Sequence, residues 1–277
     1  MSVAPTRTMA DGNAIPQIGL GTWPLDDAGA HATVGEAFRA GYRLVDTATN
    51  YGNEAGVGRA VRESGIPRDE LFVTTKLPGR QHGRHEALAG LDESLARLGL
   101  DYVDLYLIHW PVPTIGKYLE TWEAFVELRD QGKARSIGVS NFTPAQIEEI
   151  TEATGVRPVV NQIEVHPEFS QAELRAWHDE HGIVTESYSP LGPDTDLLNN
   201  PGIARVAEAL GRTPAQVVLR WHVQLGAIPI PKSADPARLR QNLDVFSFEL
   251  DAGQMAVLDA VNCDNRTGGD PETNVEL

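Results

Sequence analysis

A chain of 277 residues, 41% hydrophobic and 22% charged, has ordinary globular composition and enough apolar side chains to bury a sizeable core. Its 39 acidic residues against 23 basic ones give a formal net charge of −16, which disfavours attraction to nucleic acid or an anionic membrane, so an anionic ligand must find a local basic cluster. The one cysteine, Cys263, excludes an intrachain disulfide framework, no apolar run approaches a membrane span, and the opening MSVAPTRTMADGN lacks the apolar core of a signal peptide. A soluble cytoplasmic protein, without nucleic-acid or membrane partners, is expected.

Residues 6–17, with the turn signal Asp11-Gly12-Asn13, predict a hairpin ahead of the main fold. An alternation then sets in. Strands are predicted over 18–22, 44–46, 71–76, 103–108, 136–139, 159–163, 183–187 and 228–230. Helical spacing falls between them over 30–40, 54–63, 86–98, 118–130, 144–153, 171–181 and, more broadly, 201–225. In the 86–98 segment Leu88, Leu91, Leu95 and Leu98 mark the expected buried stripe. A last helical pair covers 236–244 and 251–261.

Eight such alternations without a linker predict an α/β fold with one domain over 1–277, a closed parallel (β/α)8 TIM barrel with an N-terminal β-hairpin and short extra helices. The rival is an open doubly wound sheet, which would announce a dinucleotide site with G-x-G-x-x-G after its first strand. Here that stretch reads Gly19-Leu20-Gly21-Thr22-Trp23-Pro24, with proline where the third glycine belongs.

Barrel chemistry lies at the C-terminal strand ends. Strand 2 delivers Asp46 and then Tyr51, strand 3 Lys76, strand 4 His109 and Trp110, and strand 5 Ser140 and Asn141. Gln162 follows on strand 6, Tyr188 and Ser189 on strand 7, and Lys232 and Ser233 on strand 8. Taken singly, these residues read as structural: a strand-end Asp caps or ties a loop, a Lys ending the buried run LFVTTK pairs with it, and a strand-end His is a satisfied core residue. Ionisable groups on three consecutive strand ends point instead to a shared site.

The stretches GYRLVDTATNYGNE, LFVTTKL, DLYLIHWP, RSIGVSNF, VVNQIEVHP, ESYSPLG and IPIPKSADPARLRQNLDVF resemble the aldo-keto reductases over nearly the whole chain, in particular the short-loop bacterial branch that includes 2,5-diketo-gluconate reductases. The resemblance implies an NADPH-dependent oxidoreductase that reduces aldehydes or ketones to alcohols, with small or polar carbonyls, keto-sugar acids included, as substrates. Asp46, Tyr51, Lys76 and His109 are then its catalytic four. A free tyrosine, with pKa near ~10, is a weak acid, and a lysine cation beside it would lower that value while Asp46 holds the lysine charged. His109 would orient and polarise the carbonyl.

For the cofactor, Ser140, Asn141 and Gln162 suit a carboxamide, and Tyr188 offers a flat face for a nicotinamide ring. Lys232, Ser233 and Arg238 form a local basic patch suited to the phosphate on the adenosine ribose. Ser189, Leu191, Gln241 and Asn242 follow the family positions near pyrophosphate and adenine, and Thr22 and Trp23 complete the cofactor set. Asp235 between the cations weakens the expected preference, leaving NADH as a lesser alternative. The substrate pocket is expected to draw on Trp23, Tyr51, Leu77, His109 and Trp110. After Leu77 the chain has Pro78 where many relatives carry Trp, and the 112–118 loop and the segment after Asn262 are short, so an open pocket is expected.

No metal is expected. His85-Glu86 lacks the second histidine of H-E-x-x-H, and His178 with His181 is placed on an acidic, exposed helix face. A glycosidase on the same barrel would need two carboxylates flanking one bond, for which Asp46 and Glu186 are the candidates, but Lys76 competes for Asp46. The remaining alternative is a non-catalytic nucleotide-binding barrel with a structural or regulatory role. A monomer is expected.

Overall fold

The computed structural model describes residues 3–193 and 195–276. Its first two strands, β1 (Thr6–Thr8) and β2 (Ala14–Pro16), pair antiparallel as the predicted hairpin. The remaining eight are β3 (Gly19–Gly21), β4 (Leu44–Asp46), β5 (Phe72–Leu77), β6 (Val103–Ile108), β7 (Ala134–Ser140), β8 (Val160–Glu164), β9 (Val184–Tyr188) and β10 (Ile228–Pro229). They run parallel in sequence order. The two edges meet where the Gly21 N–H donates to the Pro231 carbonyl at 3.2 Å, which closes the sheet into a barrel. A Cβ at Gly21 would lie 2.8 Å from the Ile230 carbonyl oxygen, so the seam requires glycine there.

The helices are α1 (Asp27–Ala40), α2 (Glu54–Glu63), α3 (Arg84–Leu98), α4 (Tyr118–Asp130), α5 (Pro144–Thr154), α6 (Ala172–Glu180), α7 (Pro201–Leu210), α8 (Pro214–Gln224), α9 (Pro236–Leu243) and α10 (Ala252–Asp259). The broad helical segment expected over 201–225 is two helices, broken at Gly211, which caps α7 with φ +61°, and restarted at Pro214 by a capping box between Thr213 and Gln216. In α3 the buried stripe is Ala87, Gly90, Leu91, Ser94 and Leu98, while Leu88 and Leu95 are only half-buried.

Met9 and Ile15 of the hairpin share an apolar cluster with Leu44, Phe72, Leu105, Val160, Val184 and Ile228 from the beginnings of the strands. The hairpin therefore plugs the N-terminal end of the barrel. Outward-facing residues such as Val45, Val73, Leu77, Tyr106 and Ile108 pack with Val34, Phe38, Leu91 and Phe125 of the helices. Apolar burial on this scale is the main favourable term in folding. With one end sealed and the wall held by helices, polar groups collect at the other end.

Candidate active site

Period-two alternation sends Asp46 at the end of β4 and Lys76 near the end of β5 into the barrel. Lys76 is 0% exposed. Its Nζ donates to Asp46 Oδ1 at 2.6 Å and to the Thr47 carbonyl at 3.0 Å, and it reaches the Tyr51 hydroxyl at 3.4 Å. Burial alone would pull the ammonium down, but Asp46, Tyr51 and Glu186 outweigh it and the group is held above its ordinary range. For Tyr51 burial is the largest influence and raises the hydroxyl; Lys76 pulls the other way without overcoming it. Lys76 thus acts on Tyr51 in the expected direction, but desolvation outweighs it and the net shift is upward.

Tyr51 reaches this position from the 3-10 turn Thr49–Tyr51, separated from β4 only by Thr47 and Ala48. Its ring lies 5.8 Å from that of His109 and 5.3 Å from that of Trp23, so the four residues expected together on strand ends do converge. Trp23 is 58% exposed at the rim and Trp110 is nearly buried. Leu77 is corrected as a pocket residue. One step along β5 from Lys76, it faces the opposite side and packs against Gly90 on α3.

A second layer surrounds the ion pair. Gln162 donates one amide to both Asp46 Oδ2, at 2.9 Å, and Glu186 Oε2, at 2.7 Å. Burial pushes Glu186 up to about 8, reinforced by the nearby Asp46 charge. Asp46 is committed to Lys76 at 2.6 Å and shares one Gln162 amide with Glu186, so the two carboxyl groups are not free to flank a bond as those of a glycosidase must. Thr22 is fully buried, with its hydroxyl donated to the Asp46 carbonyl at 2.9 Å.

Along the sheet, the Ser140 hydroxyl donates to the Gln162 carbonyl at 2.8 Å. Asn141, with φ +61°, donates to the His109 carbonyl at 3.1 Å and accepts from the Tyr188 hydroxyl at 2.9 Å. Ser140, Asn141, Gln162 and Tyr188 thus form one connected group beside the ion pair. Leu191, Lys232, Ser233, Arg238, Gln241 and Asn242 line a separate cleft of about 660 Å³. Asp235 on its rim caps α9, accepting from Ala237 N at 2.7 Å and Arg238 N at 3.2 Å. Two cations in so acidic a chain suit the cleft to a phosphate-bearing ligand. Ser189 adopts φ +50° between the two groups.

Sequence reasoning missed two carboxylates. Glu164, at the end of β8, and Glu276, in the segment following α10, tie that segment across the mouth of the barrel. Glu276 Oε1 accepts from Asn50 Nδ2 at 2.8 Å and lies 2.9 Å from His109 Nδ1. The final segment, though short, thus reaches from Glu164 to the His109 side of the site. His178 is also corrected. It is buried, bonded to Asn161 at 3.0 Å and Thr185 at 2.9 Å, and desolvation holds it down at about 4. Among the described residues no group of three or more His, Cys, Asp or Glu could hold a metal ion.

Residues 17–263 match the model of the aldo/keto reductase family. The chain belongs to the aldo/keto reductase family. Relatives of this reductase include 2,5-diketo-D-gluconic acid reductase B of Corynebacterium sp. (strain SHS752001), 53% identical over 274 residues and covering 99% of each chain. An aldo-keto reductase of Mycolicibacterium vanbaalenii is 53% identical over 269 residues, covering 97% of this chain and 96% of that one. Among solved structures, an aldo/keto reductase from Brucella melitensis superposes with a TM-score of 0.91 at 48% identity, over 94% of this chain and 99% of that one. A mutant of Gox0644 in complex with NADPH gives 0.94 at 47% identity, over 99% and 100%. The barrel expected from the strand and helix rhythm is the fold of these reductases. No helix among the described residues is long and apolar enough to cross a membrane.

Proposed function

We propose that the protein reduces small or polar aldehydes and ketones to alcohols with NADPH, using Tyr51 as the proton donor. The observation that carries this reading is the single buried ammonium of Lys76 shared between Asp46, at 2.6 Å, and Tyr51, at 3.4 Å. Family membership and the NADPH complex of the Gox0644 mutant support it.

When bound, the reduced dinucleotide supplies hydride to the carbonyl carbon. The chain's own residues handle the proton. Burial keeps Tyr51 protonated, the state a general acid needs, and Lys76 stabilises the phenolate left once the hydroxyl proton passes to the carbonyl oxygen. Asp46 fixes Lys76 in both position and charge. His109, its ring 5.8 Å from that of Tyr51, orients the same carbonyl oxygen. Ser140, Asn141 and Gln162 would hold the carboxamide, Tyr188 the nicotinamide ring, and Lys232, Ser233 and Arg238 the 2′-phosphate. Ser189, Leu191, Gln241 and Asn242 would flank the pyrophosphate and adenine, with Trp23 and Trp110 walling the substrate side.

The test is loss of reduced-nicotinamide absorbance with a panel of aldehydes and ketones. Turnover of several members with NADPH is expected. NADPH binding without consumption by any of them would favour a non-catalytic nucleotide-binding barrel instead.

A further inference from the structure

We propose that Glu276 is a specificity-determining residue that screens substrates by charge, favouring neutral carbonyls over those carrying a carboxylate. The proposal rests on the reductase reading above and names the substrate class of the same site.

The segment after α10 is not free to leave the barrel mouth. Glu164, 1% exposed, accepts from Thr267 N at 2.7 Å, Thr267 Oγ1 at 2.6 Å, Gly268 N at 2.7 Å and His166 Nε2 at 3.1 Å. Burial would raise this carboxyl, yet those donors hold it down at about 2, so the anchor is ionised at any ordinary pH. A Cβ at Gly268 would fall 2.7 Å from Glu164 Oε2 and 3.0 Å from the Tyr188 hydroxyl, so the latch closes against the Tyr188 ring only because residue 268 is glycine. Gly269 then packs on Trp110, and the Glu276 backbone on Gly79.

This path brings the Glu276 carboxylate to the His109 side of the pocket. One oxygen is held by Asn50, whose neighbour in the chain is Tyr51, while the other is buried with no hydrogen-bond partner among the described residues. Burial favours the protonated form, but His109, Asn50 and Lys76 outweigh it, and the group stays charged at neutral pH.

A substrate carboxylate has two ways in, and both are unfavourable. If Glu276 stays, two like charges share a partly desolvated space, which at separations and effective dielectric constants usual for such sites costs the acid roughly tenfold in kcat/KM. If Glu276 is displaced, its contacts with Asn50 and His109 are lost. A neutral carbonyl meets neither penalty. The acid in the Corynebacterium relative's name belongs to that protein, and this chain is assigned a different preference.

The experiment compares succinic semialdehyde with its methyl ester, which differ in charge at one end, in the parent, Glu276→Gln and Glu276→Asp at fixed pH and salt. The parent should favour the ester. Glu276→Gln should narrow that preference roughly tenfold, chiefly through a lower KM for the acid, and Glu276→Asp should retain it. An ester-to-acid ratio identical in parent and Glu276→Gln overturns the proposal. Should Glu276→Gln fail to fold, Glu276→Ala gives the second reading: it too should narrow the ester preference, and an unchanged ester-to-acid ratio in it overturns the proposal. Failure of the folded parent to turn over any carbonyl is a distinct outcome, which sinks the reductase reading and this proposal with it.

Discussion

Lys76 and Asp46, on adjacent strands, meet at 2.6 Å with almost no exposure of either side chain. Removing one partner of such a pair strands the other in a low-dielectric interior, at a cost of about 3–5 kcal/mol. Asp46→Asn should therefore lower the denaturant midpoint substantially while leaving more turnover than Lys76→Met. Lys76→Met removes the cation that moderates Tyr51, so burial should drive the phenol higher still and alcohol oxidation, which needs the phenolate, should shift to higher pH. An unchanged pH profile in Lys76→Met would reduce Lys76 to a structural role.

Glu186 should leave a mark on stability against pH. Its carboxyl sits at about 8 in the folded protein against 4.5 as a free group, so the folded state binds the extra proton between those values. The stabilisation is complete below pH 4.5 and is lost as pH rises through about 8. Across that window the parent should lose more thermal stability than Glu186→Gln, whose amide does not titrate. Parallel curves of Tm against pH for the two proteins would place the titrating group elsewhere.

Coenzyme choice tests the cleft at Lys232 and Arg238. Asp235 spends its carboxylate on the first turn of α9, yet its charge remains near the proposed phosphate position. Arg238→Ala should reduce the ratio of kcat/KM for NADPH over NADH, and Asp235→Asn should raise it while keeping the cap. Equal use of both coenzymes by the parent, unaffected by Arg238→Ala, would move the phosphate site away from this cleft.

Most of the barrel was legible because each strand end carries its own local pattern, and the convergence of Asp46, Tyr51, Lys76 and His109 follows once eight parallel strands share one C-terminal face. Leu77 was misplaced because the pocket reading ignored the alternation that sends Lys76 inward and its neighbour outward. The acidic context of His178 hid its burial, since Asn161 and Thr185, which satisfy the ring, come from the neighbouring strands β8 and β9. Glu276 had no local signature at all. It acts on Asn50, 226 positions away, through a segment whose path depends on the Glu164 latch, and no periodicity reports such a contact.

The most direct measurement is single-turnover reduction of an accepted aldehyde by Tyr51→Phe, with NADPH affinity followed in parallel by fluorescence quenching. Only the hydroxyl is removed, so the ring contacts with Trp23 and His109 can persist and coenzyme binding should stay close to that of the parent. The rate should fall by roughly two to four powers of ten. Near-parental turnover in a folded, NADPH-binding Tyr51→Phe would contradict the assignment of Tyr51 as the proton donor.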